Sequence, residues 1–332
     1  MADQDDVYDI TIIGGGPVGL FGAFYAGVRE CKTKVIDSLP QLGGQLAALY
    51  PEKYIYDMPG FPKILAKDLA RALIEQALFR DATVCLNEQA QGLEYDAARG
   101  IYVLRTSMGT HWTKTVVLCA GIGSLQPTRL EKPGVAELLG KGVHYVVQNP
   151  AQWAGKDVVI VGAGDSAVDW ALYLAPIAAS VNLVHRRDVF RAHEGSVRQL
   201  MELPVVLNLF WEVERVHGAE RVEAVTIRSN KSHELRTLKA DAVLINIGFK
   251  SDLGPLRQWG LEFDSAGVRV SPHMETNLPG VFAAGDIASY DGKLKLIATG
   301  VGEVTIAVNY AKSRVDPDSK VFPGHSSNMD LR

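Results

Sequence analysis

Asp9-Ile10-Thr11-Ile12-Ile13-Gly14-Gly15-Gly16-Pro17-Val18-Gly19 stands near the amino end of the chain, and Asp157-Val158-Val159-Ile160-Val161-Gly162-Ala163-Gly164-Asp165-Ser166-Ala167 repeats its plan in mid-chain. Each reads as a buried apolar strand, a glycine turn and the start of a helix. The turn is tight enough to need glycine. A second small residue lets the backbone approach a pyrophosphate, whose charge rests on the free N–H groups and dipole of the helix. Gly14, Gly16, Pro17 and Gly19 are the binding candidates of the first unit; Gly162, Gly164 and Ser166, with Ala167 in the third glycine's place, are those of the second. A single glycine turn can belong to an α/β fold without a ligand. Two in one chain point to two dinucleotides, held so that electrons pass between them.

The residues beyond each helix distinguish the two ligands. Lys34-Val35-Ile36-Asp37 ends the next strand with an acid 18 residues past Gly19. A carboxylate there accepts from free ribose hydroxyls, as in FAD or NAD, and repels a 2′-phosphate. The second unit has His185, Arg186 and Arg187 instead, with Arg186 19 residues past Ala167 and Arg191 close by. Guanidinium groups suit the 2′-phosphate of NADP through charge-assisted, often bidentate bonds. The competing reading is a solvated basic turn.

The 332 residues allow two domains with sizeable cores. Hydrophobic residues make up 47% and charged residues 22%, the composition of an ordinary globular enzyme. A net charge of −4 argues against a general nucleic-acid binder. No apolar run reaches the roughly 18 residues of a membrane span, and the acidic start Met1–Asp6 is unlike a signal peptide. The expectation is a cytoplasmic protein that binds neither nucleic acid nor membrane. Cys31, Cys85 and Cys119 are widely separated and read as small buried hydrophobes, with no C-x-x-C and no metal knuckle.

Along the chain, a Gly/Gln/Pro-rich loop spans Leu39–Gln45, and a helix pattern runs from about Ala66 to Phe79. Strand-like segments lie near Ala82–Asn87, Gly92–Tyr95, Ile101–Thr106 and Trp112–Cys119, and after Pro204 near Val205–Leu209, Val222–Arg228 and Ala242–Ile247. A last helix is expected from about Glu303 to Lys312, followed by a polar tail from Ser313. Small-residue crossings at Ala120–Gly123 and Gly248–Lys250 serve as hinges. These readings give an α/β fold of two Rossmann-like, three-layer domains. Residues 121–250 form the NADPH domain, inserted into an FAD domain built from 1–120 and 251–332.

With Gly43-Gly44-Gln45 and Gly280–Asp286 added, these motifs resemble thioredoxin reductase over nearly the whole chain. That enzyme carries C-x-x-C shortly before its NADPH turn. Here the corresponding stretch, Val143–Pro150, has no cysteine, so no dithiol relay can run. The segments Gln41–Ile55 and Val321–Ser327 are similar instead to the thioredoxin-reductase-like ferredoxin–NADP reductases, which also lack the pair. The resemblance implies FAD and NADP(H) as cofactors, ferredoxin or flavodoxin as a transient partner, and a homodimer. It places Tyr50 on one face of the flavin and His325, from the other subunit's tail, on the opposite face. It makes Asp286 the ligand of the ribityl hydroxyls, sets Gly44 and Gln45 at the flavin, and lines the FAD site with Ala90, Leu125 and Ser327. It implies hydride passing from NADPH to flavin and single electrons to the carrier, or the reverse, with no classical catalytic side chain. Rotation at the two hinges would bring the rings together.

Lys63, Lys67 and Arg71, spaced four apart, are a candidate landing patch for an acidic carrier, with a solvated helix face as the competing reading. A quinone or small-molecule diaphorase, or a thioredoxin-reductase-like protein with another acceptor, remains an alternative. A flavin monooxygenase would need a substrate domain that this length does not offer. A purely binding sensor would show no turnover with an external acceptor.

Overall fold

The computed structural model describes residues 7–147 and 150–325. They form two compact units, Met1–Ser124 with Ser251–Arg332, and Leu125–Lys250.

In the first unit the opening strand Val7–Ile13 lies parallel between Thr33–Ile36 and Thr110–Leu118, with Ile12 opposite both Val35 and Val117. Thr83–Cys85 extends the sheet beyond Thr33–Ile36, again in parallel. The long strand Thr110–Leu118 serves two neighbours. Its first half carries the antiparallel meander Ile101–Thr106 and Ala90–Asp96, and its second half carries Val281–Ala283, contributed by the carboxyl-terminal part of the chain. Side-chain alternation gives the sheet an apolar layer on each face. Ile10, Ile12, Val117 and Phe282 pack with Leu20, Leu73 and Val304 of the helices Pro17–Val28, Ala66–Ala77 and Ile297–Val315. Val116, Leu118, Val281 and Ala283 pack with Leu104, Trp259 and Leu261.

The second unit has a five-stranded parallel sheet in the order Val143–His144, Ala242–Ile245, Asp157–Val161, Ser180–His185, Val205–Leu209. Val158, Ile160 and Leu244 face the helix Asp165–Leu174 through Ala167, Val168 and Ala171. Val159, Val161 and Val243 face Val213, Val225 and Ile227 of an antiparallel sheet made by Trp211–Gly218, Val222–Ser229 and Leu235–Lys239. Each unit is therefore three-layered. The two chain crossings run as short strands, Ser124–Pro127 and Phe249–Asp252, which pair with each other.

Several elements differ from the sequence reading. The last helix begins at Ile297, six residues before the expected start, and ends at Val315. Gly300 and Gly302 lower its apparent propensity, but tertiary packing overrides that cost. The helix from Ala66 closes at Ala77 and passes into a 3₁₀ turn at Leu78–Arg80. Trp211–Gly218 escaped notice because a register shift between Val213 and Arg215 breaks its alternation. Leu235–Lys239 is an almost wholly exposed edge with no apolar face to read. Among the described residues, no helix is long and apolar enough to cross a membrane.

Candidate dinucleotide sites

At the first site the opening strand ends in Gly14, whose φ of +110° and closeness to the Cys119 carbonyl exclude a side chain. A Cβ at Gly19 would collide with the Gly14 carbonyl oxygen. Gly16 is extended and caps the helix without any side-chain hydrogen bond, and Pro17 occupies its first turn. The first-turn N–H groups therefore stay open to an anion.

Asp37 comes directly after the next strand and is buried, with Oδ2 accepting from the Gly15 amide at 2.5 Å and Oδ1 from the Leu39 amide at 2.8 Å. Burial holds its pKa above the ordinary carboxylate value, against the pull of those two amides. Each oxygen keeps a further lone pair for a ribose hydroxyl. The Gly43 amide donates to the Gly15 carbonyl at 2.8 Å, which lays the short helix Gly44–Ala48 against the glycine turn. A Cβ on Gly44 would come within 2.7 Å of Gly16 Cα.

Tyr50 is half-buried against the helix-side core. Burial raises its phenol pKa first, and the charges of Asp286 and Asp57 raise it further, so Asp286 lies within electrostatic reach. Asp286 sits in the 3₁₀ turn Gly285–Ile287, just past Val281–Ala283. The glycine turn, Asp37 and Asp286 thus all stand at carboxyl ends of parallel strands, where α/β sheets bind ligands. Ala90 is buried at the start of its strand, two residues beyond Glu88, whose amide donates to the Asp37 carbonyl at 2.9 Å.

The other first-site candidates are spread more widely. Gln45 reaches toward Gly121, where a built Cβ would lie 3.5 Å from Gln45 Nε2. Leu125 lies in the crossing strand Ser124–Pro127. His325 is exposed, with its ring edge-on to Phe322 at 5.6 Å, and Ser327 lies outside the described residues. The buried Arg29 anchors this tail by donating to the Lys320 carbonyl at 2.7 Å, to the Val321 carbonyl at 3.0 Å and to Asn309.

At the second site Gly164 is the extended helix cap, again with no side-chain bond, and a Cβ built there meets nothing within 4 Å. Open space beside an uncapped helix is what a pyrophosphate requires. The loop after Ser180–His185 folds back on the turn. Arg191 N donates to the Ala163 carbonyl at 2.8 Å, and His193 N to Asp165 Oδ1 at 3.0 Å. Burial lowers the pKa of His185, and the charges of Arg186, Arg187 and Arg191 lower it further. All three arginines therefore lie within electrostatic reach of His185, and all three are exposed. Ser166 lies on the first turn of the same helix.

Two contributors had weak sequence signals. Asn246, after the strand Ala242–Ile245, holds a buried Oδ1 with no hydrogen-bond partner, beside the Gly162 turn. Glu303 is buried and accepts from the Gly285 amide at 2.8 Å. Its only sequence signal was an acid inside an otherwise small and apolar helix start.

The sequence pattern of the pyridine nucleotide-disulphide oxidoreductases matches residues 8–309. The chain belongs to that family. A protein of Halalkalibacterium halodurans named ferredoxin–NADP reductase is 49% identical over 330 residues, covering 99% of this chain and all of its own. One of the same name from Geobacillus kaustophilus is 50% identical over 328 residues, 98% of each chain. Among solved structures, Lactococcus lactis thioredoxin reductase superposes with a TM-score of 0.76 at 26% identity, covering 93% of this chain and 99% of its own.

Family members are named for disulphide chemistry, yet the three cysteines here are free. Burial pushes the Cys31 thiol up to about 11, and burial together with Glu303 raises Cys119 further still. Neither is poised as a thiolate nucleophile. Cys85 departs from the buried-hydrophobe expectation. It is half-buried, within 4.8 Å of ligand atoms of Glu88 and His111. Lys34 Nζ lies 2.9 Å from His111 Nδ1, and His111 Nε2 lies 2.6 Å from Glu88 Oε1. An ammonium can only donate, so Nδ1 accepts and Nε2 carries the proton toward Glu88. Both ring nitrogens are thereby hydrogen-bonded, in a cluster that the sequence did not bring together.

The three basic residues Lys63, Lys67 and Arg71 do not share one helix edge. Lys63 precedes the helix Ala66–Ala77 and lies over the Tyr54 ring, with its nitrogen 4.9 Å from the centroid. Lys67 pairs with Glu52 at 2.8 Å, and Arg71 pairs with Asp68. Two of the three basic groups thus have acidic partners.

Proposed function

We propose that this chain is a ferredoxin–NADP reductase, with FAD held by the unit formed from both ends of the chain and NADP(H) by the inserted unit. Two complete dinucleotide turns on a chain with no C-x-x-C, similar end to end to proteins named ferredoxin–NADP reductase, carry the reading. FAD, when bound, supplies exchange of electron pairs with a nicotinamide and of single electrons with a carrier.

The residues hold and orient. Gly14–Gly19 and the open amides behind Gly16 receive the diphosphate, and Asp37 accepts from the adenosine ribose. Gly44, Gln45 and Asp286 fix the flavin end, and Tyr50 stacks on the ring and keeps water from that face. Gly162, Gly164 and Ser166 take the second diphosphate. Arg186, Arg187 and Arg191 select the 2′-phosphate, with His185 kept neutral among them. The anchored tail presents Phe322 and His325 outward, which favours a homodimer in which each tail covers its partner's site. Flavodoxin fits as an alternative carrier and the cytoplasm as the location.

NADPH-driven cytochrome c reduction, with and without ferredoxin, tests the reading. A saturable increase that depends on the carrier is expected. Equal rates without it, alongside fast quinone reduction, would assign the chain to the diaphorases.

A further inference from the structure

Behind the first site lies a buried polar group for which electron exchange has no direct use. Glu303 and Lys293 form an ion pair with side chains only 4% and 5% exposed. Glu303 Oε2 accepts from the Gly285 amide at 2.8 Å, and Oε1 accepts from Tyr290 Oη at 2.6 Å as well as from Lys293. Burial and this bond to Glu303 push the Tyr290 phenol up to about 12, so it remains a donor. The helix that carries Glu303 packs tightly here. A Cβ on Gly300 would approach Gly285 Cα to 3.2 Å and Val18 Cγ2 to 2.5 Å. One carboxylate thus reaches the turn that presents Asp286, from a helix packed on the first turn of the helix Pro17–Val28.

A buried anion in this position carries a second consequence. The field of Glu303 reaches Cys119, whose carbonyl backs Gly14. Left alone, that charge would oppose a diphosphate at the same turn and would itself be costly to bury. Lys293 supplies the neutralising charge.

We propose that Lys293, Glu303 and Tyr290 form a clasp that positions the Gly285–Asp286 turn for FAD, with Lys293 shielding the dinucleotide's phosphates from Glu303. The inference rests on reading the first site as the FAD site. It makes Glu303 and Lys293 positioning residues that touch no reacting atom.

The test is a double-mutant cycle read in FAD affinity, by flavin fluorescence on titrating apoprotein, alongside the melting temperature of the apoprotein. Lys293→Met strands a buried carboxylate and is expected to weaken FAD binding about 100-fold. Glu303→Gln keeps an acceptor for Gly285 and is expected to cost about tenfold. The double variant is expected to bind no more weakly than Glu303→Gln alone, because the stranded charge is gone. If Lys293→Met does not fold, Tyr290→Phe replaces it, with an expected loss of about threefold.

Losses in the two single variants that multiply in the double would refute the shielding role. Melting temperatures that fall while FAD affinity stays unchanged would reduce the clasp to a structural element and overturn the proposal. Wild-type apoprotein that binds no FAD would overturn the functional reading itself, which is a separate outcome.

Discussion

Replacing Arg186 and Arg187 together with glutamine removes two of the three guanidinium groups within electrostatic reach of His185. A hydrogen bond to a charged group contributes about 1.5–3 kcal/mol. Because all three arginines are exposed, solvent screening cuts each to about 0.5–1 kcal/mol. Losing two costs about 1–2 kcal/mol, which corresponds to roughly a 5- to 30-fold fall in kcat/KM for NADPH. NADH has no 2′-phosphate, so its kcat/KM should change less than about threefold, and the variant approaches indifference between the two cofactors. Stopped-flow reduction of the bound flavin by each cofactor, at several salt concentrations, measures this directly. Raising ionic strength should slow wild-type reaction with NADPH and hardly affect the variant. Equal losses with NADPH and NADH would show that the arginines support the fold and do not read the phosphate.

At the second glycine turn, Gly162→Ala drives a Cβ into the Asn246 carbonyl at a φ of +134°, so it should lower the melting temperature, whereas Gly164→Ala meets nothing and should fold normally yet bind NADPH at least about tenfold more weakly by fluorescence titration. Burial beside Trp153 lowers the pKa of His144 below 6.5, so the unfolded chain binds more protons than the folded one as pH falls. Stability should therefore be full above that value and decline as pH falls from about 6.5 through the folded value. His144→Gln should flatten a plot of melting temperature against pH over that window, and an unchanged slope would remove His144 as a cause. Lys67→Gln and Arg71→Gln, whose charges are already paired, should change the KM for ferredoxin less than about twofold in a cytochrome c assay.

The sequence announced the architecture wherever backbone geometry forces residue choice. Gly14 and Gly162 adopt positive φ at the ends of buried strands, and no other residue type serves there without strain, so both turns were legible. Asp37 could be placed directly after its strand, and the arginines in one short loop, because both follow the strand–turn–helix units at fixed distances along the chain. What stayed hidden depends on through-space neighbours. Glu303 sits 18 residues from the Gly285 amide it holds, and Lys34, Glu88 and His111 come together only when the sheet forms. The pairing that quiets Lys67 involves Glu52, 15 residues away, which a helix-periodic reading of charge does not see. Trp211–Gly218 was missed because its bulge breaks a period that has to be unbroken to be read.

We propose that the flavin passes electrons between NADP(H) and an iron–sulfur carrier, pairwise on one side and singly on the other. Anaerobic double-mixing addresses it most directly: the yellow protein is first mixed with limiting NADPH, then with oxidised ferredoxin, while the flavin and iron–sulfur absorbances are tracked separately. The expected result is bleaching of the flavin by NADPH far faster than by NADH, then its recovery with a matched loss of ferredoxin colour, two carriers reduced per NADPH. A flavin that NADPH reduces but ferredoxin leaves reduced, and that a quinone reoxidises at once, would contradict it.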